Sequence, residues 1–233
     1  MASLPNHQPR PMFAQPGESS AMPVQPAGDQ GAGFAEALAL RYAFIALCVA
    51  ALVGTVALYL VSLTNNLSVE GDNAVYIILA KAMATGQGYT DIQGPTPRIE
   101  AQYPFLFPLL LTPIVFALGA GAVYAMELLV TLFALAAFVV CFFLFRRWLA
   151  CAPLALVVTV AAATSNLVWS YSHKVLTEVP YLFFTVAACW FASVYAEEES
   201  PYTRAGLLAA AATAAAFLTR TIGMSLCVAL PVF

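Results

Sequence analysis

Long apolar runs separated by short polar breaks set the pattern of this chain. Crossing the hydrocarbon of a bilayer takes a helix of roughly 20 apolar residues. "YAFIALCVAALVGTVALYLVSL", Tyr42 to Leu63, meets that length without a charge, behind Arg41. "AVYAMELLVTLFALAAFVVCFFLF", Ala122 to Phe145, is a second span, closed by Arg146 and Arg147. "APLALVVTVAAATSNLVWSYS" is a third and leads to "HKVLTE". "VPYLFFTVAACWFASVY" is a fourth and ends at Glu197, Glu198 and Glu199. "AGLLAAAATAAAFL" runs to Thr219 and Arg220, and a last piece, "TIGMSLCVALPVF", stops at Phe233 within an apolar run. The pattern predicts an all-α, polytopic transmembrane helical bundle over residues 41–233.

Two segments break the pattern. "PFLFPLLLTPIVFALG", Pro104 to Gly119, is apolar but short, and prolines stand at 104, 108 and 113. Interior prolines remove a hydrogen bond and clash with the preceding turn, so a helix at the membrane interface, or a kinked one packed on its neighbours, fits better than a straight span. The polar region Thr64 to Tyr103 reads as a loop outside the bilayer. It opens with "GDNAVYIILAKAMATGQGY", in which Asp72 stands at a helix N-cap position and Gly86 and Gly88 supply a C-terminal stop. That helix is apolar nearly all round, broken by Lys81, which suits an interfacial helix or one partly covered by others.

Composition supports the membrane reading. The chain is 62% hydrophobic and 9% charged, with mean hydropathy +0.84. A soluble domain carries about 25% charged residues, so this surface suits lipid and not water. Residues 1–33 differ. They are rich in Pro, Gln, Gly and Ser, have no apolar period, and read as the core of a disordered N-terminal tail placed at 1–40. No apolar core follows a basic start there, so the tail is not a signal peptide. Cys48, Cys141, Cys151, Cys189 and Cys227 form no CxxC or Cys/His cluster and read as small packing residues.

Lysine and arginine favour the cytoplasmic side of a span. With Arg146 and Arg147 inside and Pro104 to Gly119 held at the outer surface, Arg41 is also inside. The outer side then gathers Asp72, Arg98, Glu100, Tyr103, His173, Lys174, Glu178 and Arg220. Each has an ordinary reading beside a chemical one. Asp72 and Glu178 each open an apolar run and could cap it; Lys174 stands one turn before Glu178 and could pair with it. A carboxylate close to a bilayer is otherwise costly and is a functional candidate. Arg98, Lys174 and Arg220 could snorkel to the interface or bind an anion, since arginine forks match phosphate oxygens and lysine supplies a point charge. His173 reads as an interfacial polar residue. HExxH, P-loop, GxGxxG and GxSxG patterns are absent, and no basic-aromatic face points to nucleic acid.

The order of these parts resembles the membrane-embedded GT-C glycosyltransferases. The residues that carry the likeness are D-N-A-x-Y-x-x-x-A-x-x-x-x-x-G-x-G-Y from Asp72 to Tyr89, "YPFLFPLL" from Tyr103, "SHKVLTEVPYLFF" and "FLTRTIGMSLCVALPV". The likeness covers roughly Arg41 to Phe233. It is nearest to the transferases that use polyprenyl-phosphate sugars, the protein O-mannosyltransferases and the aminoarabinose transferases of lipid A. It implies an inverting transfer of a hexosyl or pentosyl group from a polyprenyl-phosphate-linked sugar donor to a hydroxyl of a lipid, glycan or protein acceptor. The resemblance makes Asp72 the general base or acceptor-orienting group and Glu178 a second acidic group that assists, orients or, in some members, binds a divalent cation. Arg98, Lys174 and Arg220 become candidates for the carrier phosphate, with Tyr76, Tyr103 and His173 beside them. The implied location is the bacterial cytoplasmic membrane, with the site facing outward, among membrane lipids and with no nucleic acid partner. Asn73 follows Asp72 where several branches carry glutamate. The lysine that some members place before the loop's final proline is absent, leaving Arg98 as the nearest cation. Family members carry further spans, so the chain reads as the N-terminal portion of a transferase. A lipid or solute transporter and a noncatalytic membrane subunit remain open as alternatives.

Overall fold

A computed structural model of the chain describes residues 29–65, 67, 71–198 and 203–230. The tail before residue 29, Glu199, and the end of the last apolar piece lie outside these residues. The chain divides into two compact units, Met1–Tyr42 and Ala43–Phe233. The described part of the first unit is the start of helix α1 (Asp29–Val61). Residues 29–40, expected within the tail, are therefore helical. "AEALAL" (35–40) explains this, since Ala, Glu and Leu are strong helix formers and the last proline before it is Pro26.

Among the described residues of the second unit the regular structure is helical apart from one two-rung hairpin. After α1 come α2 (Asn73–Ala84), β1 (Thr90–Asp91), β2 (Arg98–Ile99) and α3 (Leu106–Leu118). Then follow α4 (Val123–Leu149), α5 (Ala152–Ala163), α6 (Asn166–Ser172), α7 (Glu178–Tyr195), α8 (Arg204–Thr219) and α9 (Met224–Ala229). Among the described residues three helices are long and apolar enough to cross a membrane: Gly33–Val61 within α1, α4 and α7. The count is four if the bent pair α5–α6 is one span.

That pair covers the third apolar run, expected as a span, and it is bent. The helices meet at 59°, across Thr164 and Ser165. Thr164 turns its hydroxyl back onto the Val160 carbonyl at 2.9 Å, and Ser165 takes an extended conformation ahead of α6. Small hydroxyl and amide side chains compete for backbone groups in this way, so "TSN" ends one helix and starts the next. Helix α8, at 16 residues, falls short of the span length. Its small residues serve packing instead: Ala212 lies in a buried cluster with Ala187 and Ala188 of α7.

Helix α2 ends as its glycines predict. Gly86 has φ +76°, the Gly86 N–H donates to Met83 O at 3.1 Å and the Gln87 N–H to Ala82 O at 2.9 Å, which is the Schellman pattern. The helix is covered and not laid on a surface: Asn73, Tyr76, Ile77, Leu79, Ala80 and Ala82 are all buried. Helix α3 packs on it and, at 13 residues or about 20 Å, is too short to cross a hydrocarbon layer of about 30 Å.

The chain ends of several helices meet. The Thr64 N–H, just past α1, donates to Glu127 Oε2 at the start of α4 at 3.0 Å. Thr131 of α4 donates to Ser172 O at 3.1 Å, and Tyr59 of α1 donates to Ala163 O at 2.7 Å. The segment between α1 and α4 therefore returns to the end it left, and α3 does not carry the chain across. At the far end of α4, Arg147 donates to Ser193 O at 2.9 Å and pairs with Glu197 at 2.5 Å. A close approach of backbone follows α8: a Cβ on Gly223 would lie 2.6 Å from Phe217 N and 2.7 Å from Ala216 C. Gly223→Ala is thus expected to cost about 1–3 kcal/mol through overpacking, read as a lowered Tm in detergent against an Ile222→Ala control at an exposed site.

Candidate active site

Asp72 occupies the N-cap position of α2, yet its side chain makes no cap hydrogen bond. Its carboxylate instead accepts from Tyr103: the phenol donates to Oδ1 at 2.9 Å. Asp72 is exposed, and Tyr103 is half-buried. The hydrogen bond to Asp72, then burial, pushes the Tyr103 phenol up to about 12.

Tyr103 stands edge-on to Tyr76, with centroids 5.5 Å apart, and Tyr76 stands edge-on to Phe107 at 5.2 Å. The Tyr76 hydroxyl reaches Thr177 Oγ1 at 3.5 Å, and Thr177 directly precedes Glu178. Burial raises the Tyr76 phenol. The Thr177 contact lowers it, Asp72 and Glu178 raise it, and Arg220 lowers it. Contacts link the three charges through this tyrosine: its ring meets Tyr103, which holds Asp72, and its hydroxyl meets Thr177, next to the Glu178 that pairs with Arg220.

Glu178 opens α7, and its partner is Arg220, just past α8, at 2.7 Å. Ordinary capping explains neither residue: no cap hydrogen bond forms at this helix start. The second carboxylate oxygen, Oε2, is buried without a hydrogen-bond partner. Glu178, Arg220, Tyr171, Tyr181 and Thr185 line a cleft of about 470 Å³ whose other walls are Leu167, Val168, Val179 and Leu182. Asp72 does not line it.

The remaining candidates divide. Lys174 lies over the Tyr171 ring, 5.4 Å from its centroid, and so stands beside the cleft. His173 is committed to packing. Its Nε2 is 3.3 Å from Tyr59 O, its Nδ1 3.3 Å from Ser172 Oγ, and its ring stands against Trp169 at 5.3 Å. Tyr76 is 5% exposed, so it supports its neighbours and offers no surface to a substrate. Arg98 lies on the hairpin opposite Asp91, in a recess with Gly94, Pro95 and Thr96 that is separate from the cleft. Among the described residues no group of three His, Cys, Asp or Glu side chains could hold a metal ion.

Glu127 is a carboxylate that reading by runs passed over. It is 1% exposed and accepts from the Thr64 N–H and, at 3.4 Å, from the Thr64 hydroxyl. The signal was an acidic residue inside an apolar span. Its work is to fix where the chain leaves α1 on the way to Asp72. Thr177 was missed as well, since a lone threonine carries no signal until Tyr76 is seen to meet it.

Chemically, the arrangement offers an exposed carboxylate held by a phenol, and beside it an arginine–glutamate pair at the mouth of a mostly apolar cleft. Comparison of the chain with protein-family models, with curated proteins and with solved structures finds no match.

Proposed function

We propose that the chain carries the donor and base sites of a glycosyltransferase that moves a sugar from a polyprenyl-phosphate carrier to an acceptor hydroxyl at one face of a membrane. The observation that carries this reading is the run of contacts from Asp72 through Tyr103, Tyr76 and Thr177 to the Glu178–Arg220 pair, in a chain with so few charges. Asp72 accepts the acceptor's proton as its oxygen attacks the anomeric carbon. The bond from that carbon to the phosphate oxygen breaks, and the leaving phosphate keeps the electron pair. Arg220 and Lys174 stabilise the charge that develops there. Glu178 holds the Arg220 guanidinium in place. The apolar walls of the cleft suit the carrier's hydrocarbon. The three span-length helices support the reading of a multi-pass membrane protein, and in this reading the face bearing Asp72 is the outer one.

The break between α5 and α6 gives a transporter reading one supporting feature, since broken helices line transport sites. Against it, the paired charges Arg220–Glu178 and Arg147–Glu197 lie at helix ends and not midway along them. The test is transfer of labelled sugar from a polyprenyl-phosphate sugar by membranes that carry the protein. Transfer that depends on Asp72 supports the reading. Transfer unchanged in Asp72→Ala overturns it.

A further inference from the structure

Tyr103 is fixed at three points, more than a loop residue needs. The Tyr89 hydroxyl donates to its backbone carbonyl at 2.9 Å, its ring rests edge-on against Tyr76, and its own hydroxyl donates to Asp72 from 31 residues along the chain. Asp72 stands where a side chain ordinarily turns back to the first amides of its helix, and it does not do so. Its backbone, at φ −92° and ψ 17°, is not the extended form a capping residue takes. The carboxylate has been drawn toward Tyr103 and away from α2.

We propose that Tyr103 is a positioning residue, whose hydroxyl holds the Asp72 carboxylate off the helix start and at the exposed edge of the site, where an acceptor hydroxyl can meet it. The inference rests on the reading of Asp72 as the base. The groups that face this pair are Tyr76 from α2 and Glu100 from the loop after the hairpin, with Glu178 and Arg220 beyond Tyr76. Among the described residues the hydrogen bond to the Asp72 carboxylate comes from Tyr103, and Glu178 and Arg220 pair with each other. Without the phenol, the carboxylate can turn back to the start of α2, as a side chain at this position ordinarily does, and it then points away from the acceptor.

Tyr103→Phe separates this role from that of a loop staple, because phenylalanine keeps the ring contact and the backbone bond and loses the donor alone. A staple predicts unchanged turnover. Positioning predicts a fall in kcat of about tenfold to a hundredfold with KM within about twofold, as displacement of a catalytic group by an ångström produces. A second readout needs no activity. In protein labelled with ¹³Cζ-tyrosine, the Tyr103 resonance, assigned by its loss in Tyr103→Phe, is expected to move in Asp72→Ala. A resonance that stays in place overturns the proposal, as does unaltered kcat in Tyr103→Phe. Wild-type protein that transfers no sugar from the carrier overturns the reading of the site itself, an outcome separate from the other two.

Discussion

Asp72→Asn is expected to lower sugar transfer by about a thousandfold, with little change in KM. General-base catalysis contributes about 10²–10⁴-fold, and the amide cannot take the acceptor's proton. The substitution is mild in every other respect. Asparagine has the same shape, retains an oxygen for the Tyr103 phenol, and suits the N-cap position of α2 as well as aspartate does. Folding should therefore be unaffected, and a circular dichroism melt in detergent should match that of the parent. Loss of transfer with an unchanged melt assigns Asp72 to chemistry. A lowered melt with partial transfer would assign it to the start of the helix.

Glu127→Ala is expected to cost about 3 kcal/mol. Two losses combine. The Thr64 N–H loses its acceptor; Thr64 is exposed, so water can replace it and the loss is about 1 kcal/mol. The removed side chain, 1% exposed, also leaves a cavity, and large-to-alanine changes in a core cost about 2–5 kcal/mol. Glu127→Gln keeps the shape and one acceptor oxygen and should lose much less. Unfolding in mixed micelles would measure both variants. Transfer should also fall in Glu127→Ala and be retained in Glu127→Gln, since Thr64 starts the segment that leads to Asp72.

The parts of the fold that were legible in the sequence are those set by local pattern. The span-length runs of α1, α4 and α7 were read from their apolar residues, and the end of α2 from Gly86. The short α3 was read from the length of its apolar run; it passes through Pro113 unbroken and ends at Gly119. What escaped the sequence was decided by competition or by distance along the chain. At "TSN" three polar residues outweigh an otherwise continuous apolar run, and α5 bends into α6. Ahead of Arg41, helix-forming residues extend α1 back into a stretch that composition had assigned to the tail.

The candidate site divides in the same way. Asp72 and Glu178 were found because a carboxylate beside an apolar run is conspicuous. Their partners were not found. Lys174 stands one turn from Glu178 and invited a local pair, whereas Arg220, 42 residues away in sequence, forms the bond. Tyr103 reaches Asp72 across a hairpin. His173, placed by type among the binding candidates, is taken up by Tyr59 and Trp169. Packing of α6 against the end of α1 settles that contact, and no local motif encodes it.

The central claim is a single displacement at the anomeric carbon, driven by Asp72 as base. The anomeric configuration of the product, read by the proton coupling at the transferred sugar, tests it most directly. One displacement from the opposite face yields a product of inverted configuration relative to the polyprenyl-phosphate donor. A product of retained configuration would require a covalent sugar–enzyme intermediate and two displacements, and would contradict the account.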